Sequence, residues 1–256
     1  MLGVALCAML FSIYKLVSIK ISYDRSEQLY TDVEEIFYEN VRDTAFAEQT
    51  GTDDTAAGVE DTSTSKIWKW NIDKARSEIC EDIVGYIRQQ GILSYPIVQA
   101  EDNNKYLRTM LNGEYNVAGT IFVDCNFPEG LDGQYAIIYG HNMDDGSMFG
   151  SLSSYDSEDY YREHKTFEIY AGQDCYEYNV FSAFVTDADG YVYTYCFRDD
   201  EDFVTFANRL KARCPYQTDV EEITADDHVI VLSTCVDFHD YSYRYVCCLV
   251  RGKKLA

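Results

Sequence analysis

Between Val84 and Val250 the chain breaks into short runs of β-branched and aromatic residues separated by turn formers, and this rhythm limits it to a β architecture. Strands are expected near Val84–Arg88, Ile97–Val98, Thr120–Asp124, Tyr135–Tyr139, Thr166–Ala171, Tyr176–Val185, Tyr191–Tyr195, His228–Ser233 and Tyr241–Val250. Several such strands with few helices between them point to an antiparallel barrel or sandwich. The 23 Tyr and 13 Phe beside only 3 Pro suit strands better than helices. Two helical inserts interrupt the pattern. Met148 to His164 is one. Asp200 to Arg213 is the other, with acids in its first turn and bases in its last, as the helix dipole prefers.

The segment ahead of the strands has a different character. Leu2 to Ile19 is apolar apart from Ser12, Lys15 and Ser18, long enough to match the roughly 17–25 residues of a membrane-crossing helix. Residues 1–22 therefore read as a transmembrane anchor, with a signal peptide disfavoured because no small-x-small cleavage site follows. Basic residues come after the apolar run, so charge alone favours a cytoplasmic C-terminal side. Residues 26–46 put Leu29, Val33, Ile36, Phe37 and Val41 at helical spacing, and 48–65 are Gly, Thr, Ser, Ala and acid without an aromatic. Residues 23–65 are thus expected to be a helical stalk and flexible linker. Residues 66–256 form the folded domain, opening with a helix over 66–79.

Charge and cysteine content narrow the function. The 256 residues carry 44 acids against 21 Lys plus Arg, a net charge of −23. Phosphates would be repelled, so no nucleic acid is expected as a partner, and any membrane contact must be hydrophobic. Nine cysteines occur without a CxxC pair, which argues against a zinc ribbon or a thioredoxin-type centre. Cys80, Cys175 and Cys196 read as small buried hydrophobes. No GxGxxG, Walker loop or HExxH is present, so neither a cofactor nor a metal is expected. Asp187-Ala-Asp-Gly lacks the further ligands of a calcium loop and reads as a turn.

One cysteine has a distinctive setting. Cys235 ends the run His228-Val-Ile-Val-Leu-Ser-Thr, a buried strand, so it sits at a rim where ligands can approach. A short loop and an alternating strand from Tyr241 follow, making a hairpin. Arg244 is nine residues on. Pairing across that hairpin would bring its guanidinium near the sulfur, where a cation stabilises thiolate and can donate to an oxyanion. A base is also needed. His141, after the strand Tyr135–Tyr139 and beside Gly140, and His239, in the loop after Cys235, are both candidates, and spacing does not choose between them.

The segments YGHNMDDGSMFGSL and VLSTC, with an arginine nine residues after the cysteine, resemble the signature of class B sortases. These are membrane-anchored cysteine transpeptidases of Gram-positive bacteria. EDIVGYIRQQGILSYPIVQ, EDNNKYL and GTIFVDCNF resemble the family's upstream segments in the same order, so the likeness covers roughly Ile79 to Arg251. It implies a mainly β fold: an eight-stranded sortase β-barrel with an N-terminal helical extension and an inserted helix before the cysteine strand. It implies His141, Cys235 and Arg244 as the catalytic residues, with His239 a loop residue, and Ser233 and Thr234 as substrate-binding residues. Residues 66–256 become the sortase catalytic domain.

The implied activity is cleavage at Thr of an NPxTN-like sorting motif through a thioacyl intermediate, joining a surface protein to a cell-wall amine. The implied partners are surface proteins bearing a sorting signal and a peptidoglycan precursor or cross-bridge amine. The implied location is the cell membrane, single-pass, with the catalytic domain extracellular, against the charge-based orientation. Alternatives are a pilus-polymerising sortase using a pilin lysine, a catalytically silent surface-binding module, and a hydrolytic cysteine peptidase. Two departures stand out: Val231 replaces the family's usual Thr, and Val236 replaces an acidic or polar residue after the cysteine.

Overall fold

The structure is a computed structural model that describes residues 2–42, 64–236 and 242–256. Helix α1 (Leu2–Glu35) leads into strand β1 (Tyr38–Arg42), which pairs antiparallel with β2 (Thr64–Trp68), and helix α2 (Ile72–Glu78) follows. Strands β3 (Ile83–Gln89), β4 (Leu93–Val98), β5 (Phe122–Val123) and β6 (Tyr135–Tyr139) come next. A 3-10 segment, Gly150–Asp156, and helix α3 (Glu158–Glu163) precede β7 (Thr166–Ala171) and β8 (Asp174–Asp187). Helix α4 (Asp200–Lys211), β9 (Val229–Cys235) and β10 (Tyr243–Lys254) complete the chain. The eight strands β3–β10 close into a barrel in the order β10-β8-β7-β3-β4-β5-β6-β9.

Local chemistry explains the main elements. The inner faces of β7 alternate with its outer ones, Phe167, Ile169 and Ala171 being buried. Strand β9 is buried from Val229 through Thr234, as its unbroken β-branched and aliphatic run requires. Helix α4 begins where the Asp199 side chain accepts from the Asp202 N–H, and it buries Phe203, Ala207 and Leu210 against the barrel.

The sequence expectations are corrected in four places. The helix expected over 26–46 ends at Glu35, and Tyr38–Arg42 is a strand. Val33 and Phe37 bury into the core as expected for a helical face, but the aromatic and β-branched residues beyond them pair with β2. The helix expected over 66–79 is a strand to Trp68 and a helix only from Ile72, because Asn71 caps it by accepting from the Lys74 N–H at 2.9 Å. The insert expected over 148–164 is divided at Ser157, which caps α3. Tyr191–Tyr195 is not a strand: β8 already pairs with β7 and β10, and a closed barrel offers no free edge. The linker expected over 48–65 lies mostly outside the described residues.

The C-terminal half of α1 and the first hairpin pack on the barrel. Tyr30 is 5% exposed, and its hydroxyl donates to the Gly119 carbonyl at 2.6 Å. Its ring meets Tyr95 edge to face at 5.2 Å. Phe37 lies among Trp68, Trp70 and Tyr86 with ring centroids 4.9–6.2 Å away. This aromatic cluster joins the extension to the barrel wall. Truncating Phe37→Ala is expected to cost about 3–5 kcal/mol, read as a lower urea midpoint with an unchanged slope.

Candidate active site

Strand β9 sets the geometry. On one side it runs antiparallel to β10, and Cys235 faces Arg244 in the register. On the other it runs parallel to β6, with Tyr139 opposite Ser233 and the Gly140 N–H donating to the Ser233 carbonyl at 3.2 Å. Continuing that register two residues brings His141 level with Cys235. The three residues thus stand abreast at one rim of the barrel and line a cleft of about 310 Å³. Residues two apart on a strand share a face, so Ser233 accompanies Cys235.

His141 is oriented by backbone. Its Nε2 lies 2.7 Å from the Leu107 carbonyl, a contact that requires the proton on Nε2 when the imidazole is neutral. Burial lowers its pKa; the Leu107 carbonyl opposes this and the charge of Arg108 adds to it. Gly140 has to be glycine for packing: a Cβ there would lie 2.7 Å from the Phe149 ring. The Phe149 N–H in turn donates to the His141 carbonyl at 2.9 Å.

The cleft wall is aromatic and held from beneath. The Tyr139 and Tyr193 rings lie 13° from parallel with centroids 6.5 Å apart. The hydroxyls of Tyr193 and Ser233 are hydrogen bonded at 2.9 Å. The Tyr139 hydroxyl donates to Asp124 Oδ2 at 2.9 Å. Asp124 is fully buried, and its Oδ1 also accepts from the Asn103 and Asn126 side-chain amides and the Asn126 N–H at 2.8–2.9 Å. Burial and the Asp124 charge push the Tyr139 hydroxyl well above its ordinary pKa, so it remains a donor.

The remaining sequence candidates differ in how they meet the cleft. Thr234 borders the cleft, but strand alternation turns its side chain from the face of Cys235, and its buried Oγ1 has no partner among the described residues. Arg244 Nη1 donates to the Tyr243 carbonyl at 2.9 Å. His228 precedes β9, at the strand's opposite end from Cys235, and its Nδ1 lies 2.9 Å from the Gly133 carbonyl. His239 lies outside the described residues. All nine cysteines are free; Cys175, Cys247 and Cys248 are buried, whereas Cys196, expected to be buried, is exposed. Burial pushes the Cys247 and Cys248 thiols up, keeping them protonated. Sequence reasoning missed Asp124, Leu107, Tyr139, Tyr193 and Asn142 as parts of this rim. A larger groove of about 690 Å³ runs between α1 and the β3–β4 hairpin, and Cys235, His141 and Arg244 do not line it.

A closed eight-stranded barrel with cysteine, histidine and arginine abreast at one rim defines a class, and the comparisons agree with it. A family model for the sortase domain matches residues 86–251, and the chain belongs to the sortase family. Within it the chain belongs with the class B sortases. Sortase B of Listeria monocytogenes is 37% identical over 163 residues, 63% of this chain and 65% of that protein. Sortase B of Staphylococcus aureus is 34% identical over 162 residues, 62% of this chain and 66% of that protein. The chain thus spans slightly under two thirds of the length of these curated relatives. Among solved structures, the Staphylococcus aureus sortase B–substrate complex is 30% identical with a TM-score of 0.65, covering 70% of this chain and 84% of that one. Sortase B from Bacillus anthracis in complex with AAEK1 is 26% identical with a TM-score of 0.71, covering 92% of this chain and all of that one.

The depressed His141 pKa has a consequence for stability. The unfolded chain takes up this proton near the ordinary value of about 6.5, before the folded protein does, so stability is lost as pH falls through that value. A His141→Gln variant lacks this loss. Its unfolding free energy relative to wild type is expected to improve between pH 8 and pH 5, measured by urea denaturation at both. An unchanged difference would show that the imidazole is not desolvated.

Proposed function

We propose that this protein is a cysteine transpeptidase that cleaves an NPxTN-like sorting motif at Thr and joins the surface protein to a cell-wall amine. The observation that carries the reading is the register of β9, which pairs Cys235 with Arg244 and continues β6 toward His141. The Cys235 thiol passes its proton to the His141 imidazole, the sulfur attacks the threonine carbonyl carbon to form a C–S bond as the carbonyl opens to an oxyanion, and Arg244 stabilises that oxyanion. As the intermediate collapses, the peptide C–N bond breaks and His141 gives its proton to the leaving amine. The incoming amine of a peptidoglycan precursor or cross-bridge then loses a proton to His141 and attacks the thioester, and the thiolate departs. Ser233 borders the acyl group; Thr234 contributes through its backbone.

We further propose that residues 1–22 anchor the chain as a single pass in the cell membrane, with 23–65 as connector and 66–256 as the extracellular catalytic domain. Large apolar side chains supporting this are exposed on the N-terminal part of α1, including Leu6, Leu10, Phe11, Leu16, Val17 and Ile19. No helix among the described residues is long and apolar enough to cross a membrane.

The test is cleavage of an NPxTN-type peptide with and without a wall-bridge amine mimic. Added amine is expected to divert product from the hydrolysed to the ligated form; a product ratio insensitive to amine would instead identify a hydrolase. Cys235→Ala is expected to abolish cleavage without loss of fold. Arg244→Ala is expected to lower kcat by about 10²–10³-fold, as loss of an oxyanion donor does. Cleavage by Cys235→Ala would end the assignment.

A further inference from the structure

The backbone ladder between β6 and β9 stops short of the candidate chemistry. Its last hydrogen bond joins the Gly140 N–H to the Ser233 carbonyl. Beyond that point a side chain takes over. Asn142 Nδ2 donates to the Cys235 carbonyl at 3.0 Å and reaches the Val236 carbonyl at 3.4 Å. Asn142 is itself fixed from behind, since its backbone bridges to Met148, and the adjacent Phe149 N–H holds the His141 carbonyl. Met148 has a positive φ of 53° and donates its N–H to the Tyr95 hydroxyl at 3.1 Å, so the return of this loop is pinned to β4.

Asn142 directly follows His141, so one carboxamide ties the histidine's backbone to the cysteine's across 93 residues of sequence. The chemistry of the side chain matters. A primary amide carries two donor hydrogens on one nitrogen and can serve two carbonyls, whereas a carboxylate of the same shape offers only lone pairs. Without the tie, β9 would leave the parallel pairing at Ser233, two residues before the thiol.

We infer that Asn142 is a positioning residue whose carboxamide clamps the Cys235 carbonyl, so that the sulfur and the His141 imidazole keep one separation through acylation and deacylation. The kinetic part of this inference rests on the transpeptidase reading; the clamp itself rests on hydrogen-bond geometry. Asn142 acts through the backbone of its neighbours and not on the reacting atoms. Misplacing reacting groups by about 1 Å can cost on the order of 10²-fold in rate, so the clamp acts on kcat more than on binding.

The test uses Asn142→Asp, which keeps the shape and removes the donor, and Asn142→Ala, in the full chain. Both are expected to lower kcat for peptide cleavage by about 10–100-fold with KM changed by less than about threefold, at an unchanged thermal midpoint. Hydrogen exchange is expected to quicken together in 136–143 and 232–236, and this second readout needs no activity. A kcat for Asn142→Asp within about threefold of wild type overturns the inference. So does a fall in kcat that only tracks a lower folded fraction. If the parent chain cleaves no sorting peptide, the transpeptidase reading fails by itself. Exchange then decides the clamp: protection unchanged in both segments overturns it, and coupled loss of protection upholds it.

Discussion

Strand β9 is paired on its two sides to neighbours of opposite sense, and the rim depends on that arrangement. Antiparallel pairing with β10 makes Arg244 the direct partner of Cys235, while parallel pairing with β6 keeps the two chains advancing together toward the same end. A parallel pair cannot be joined by a tight turn, so the chain travels from β6 through β7, β8 and α4 before returning as β9. The hydrophobic drive that buries Val229 to Leu232 holds the strand at fixed height. Val231, where the family usually has Thr, belongs to this buried run and serves the core rather than the cleft.

Polar groups beneath the cleft are arranged as a closed set. Asp124 carries a carboxylate into the interior and satisfies it with neutral donors from Asn103, Asn126 and Tyr139. A buried carboxylate is tolerable only when it is hydrogen bonded this fully. The same bonds fix Tyr139, whose ring lies parallel to Tyr193, whose hydroxyl in turn meets Ser233. The wall of the cleft is thus continuous with a rigid network.

Much of the barrel was legible because strands announce themselves locally. Tyr135–Tyr139 and Thr166–Ala171 match their expected limits, since each is a compact run with turn formers at both ends. The nine-residue interval from Cys235 to Arg244 likewise encodes a hairpin pairing. The helix ends were less legible. Val33, Phe37 and Val41 fit one helical face, yet Val41 is claimed by β2 through a contact no local pattern reveals. The rim's supporting residues were missed for the same reason. Leu107 is 34 residues from His141, and Asn142 is 93 from Cys235. Periodicity sees neighbours along the chain, whereas these partners are brought together only by barrel closure. Spacing did not distinguish His141 from His239; His141 is what the resemblance implies, and it lines the cleft with Cys235.

Closure of the barrel also has a meaning for how such a chain can vary. Every strand from β3 to β10 has a neighbouring strand on each side, so the sheet does not open when a loop at its rim is rebuilt. The segment between β8 and α4, which supplies Tyr193 to the cleft, hangs from a frame that does not need it for pairing. Recognition and architecture are thereby separable traits. The wall of the cleft can be rebuilt in sequence while β6, β9 and β10 continue to bring His141, Cys235 and Arg244 to the same rim.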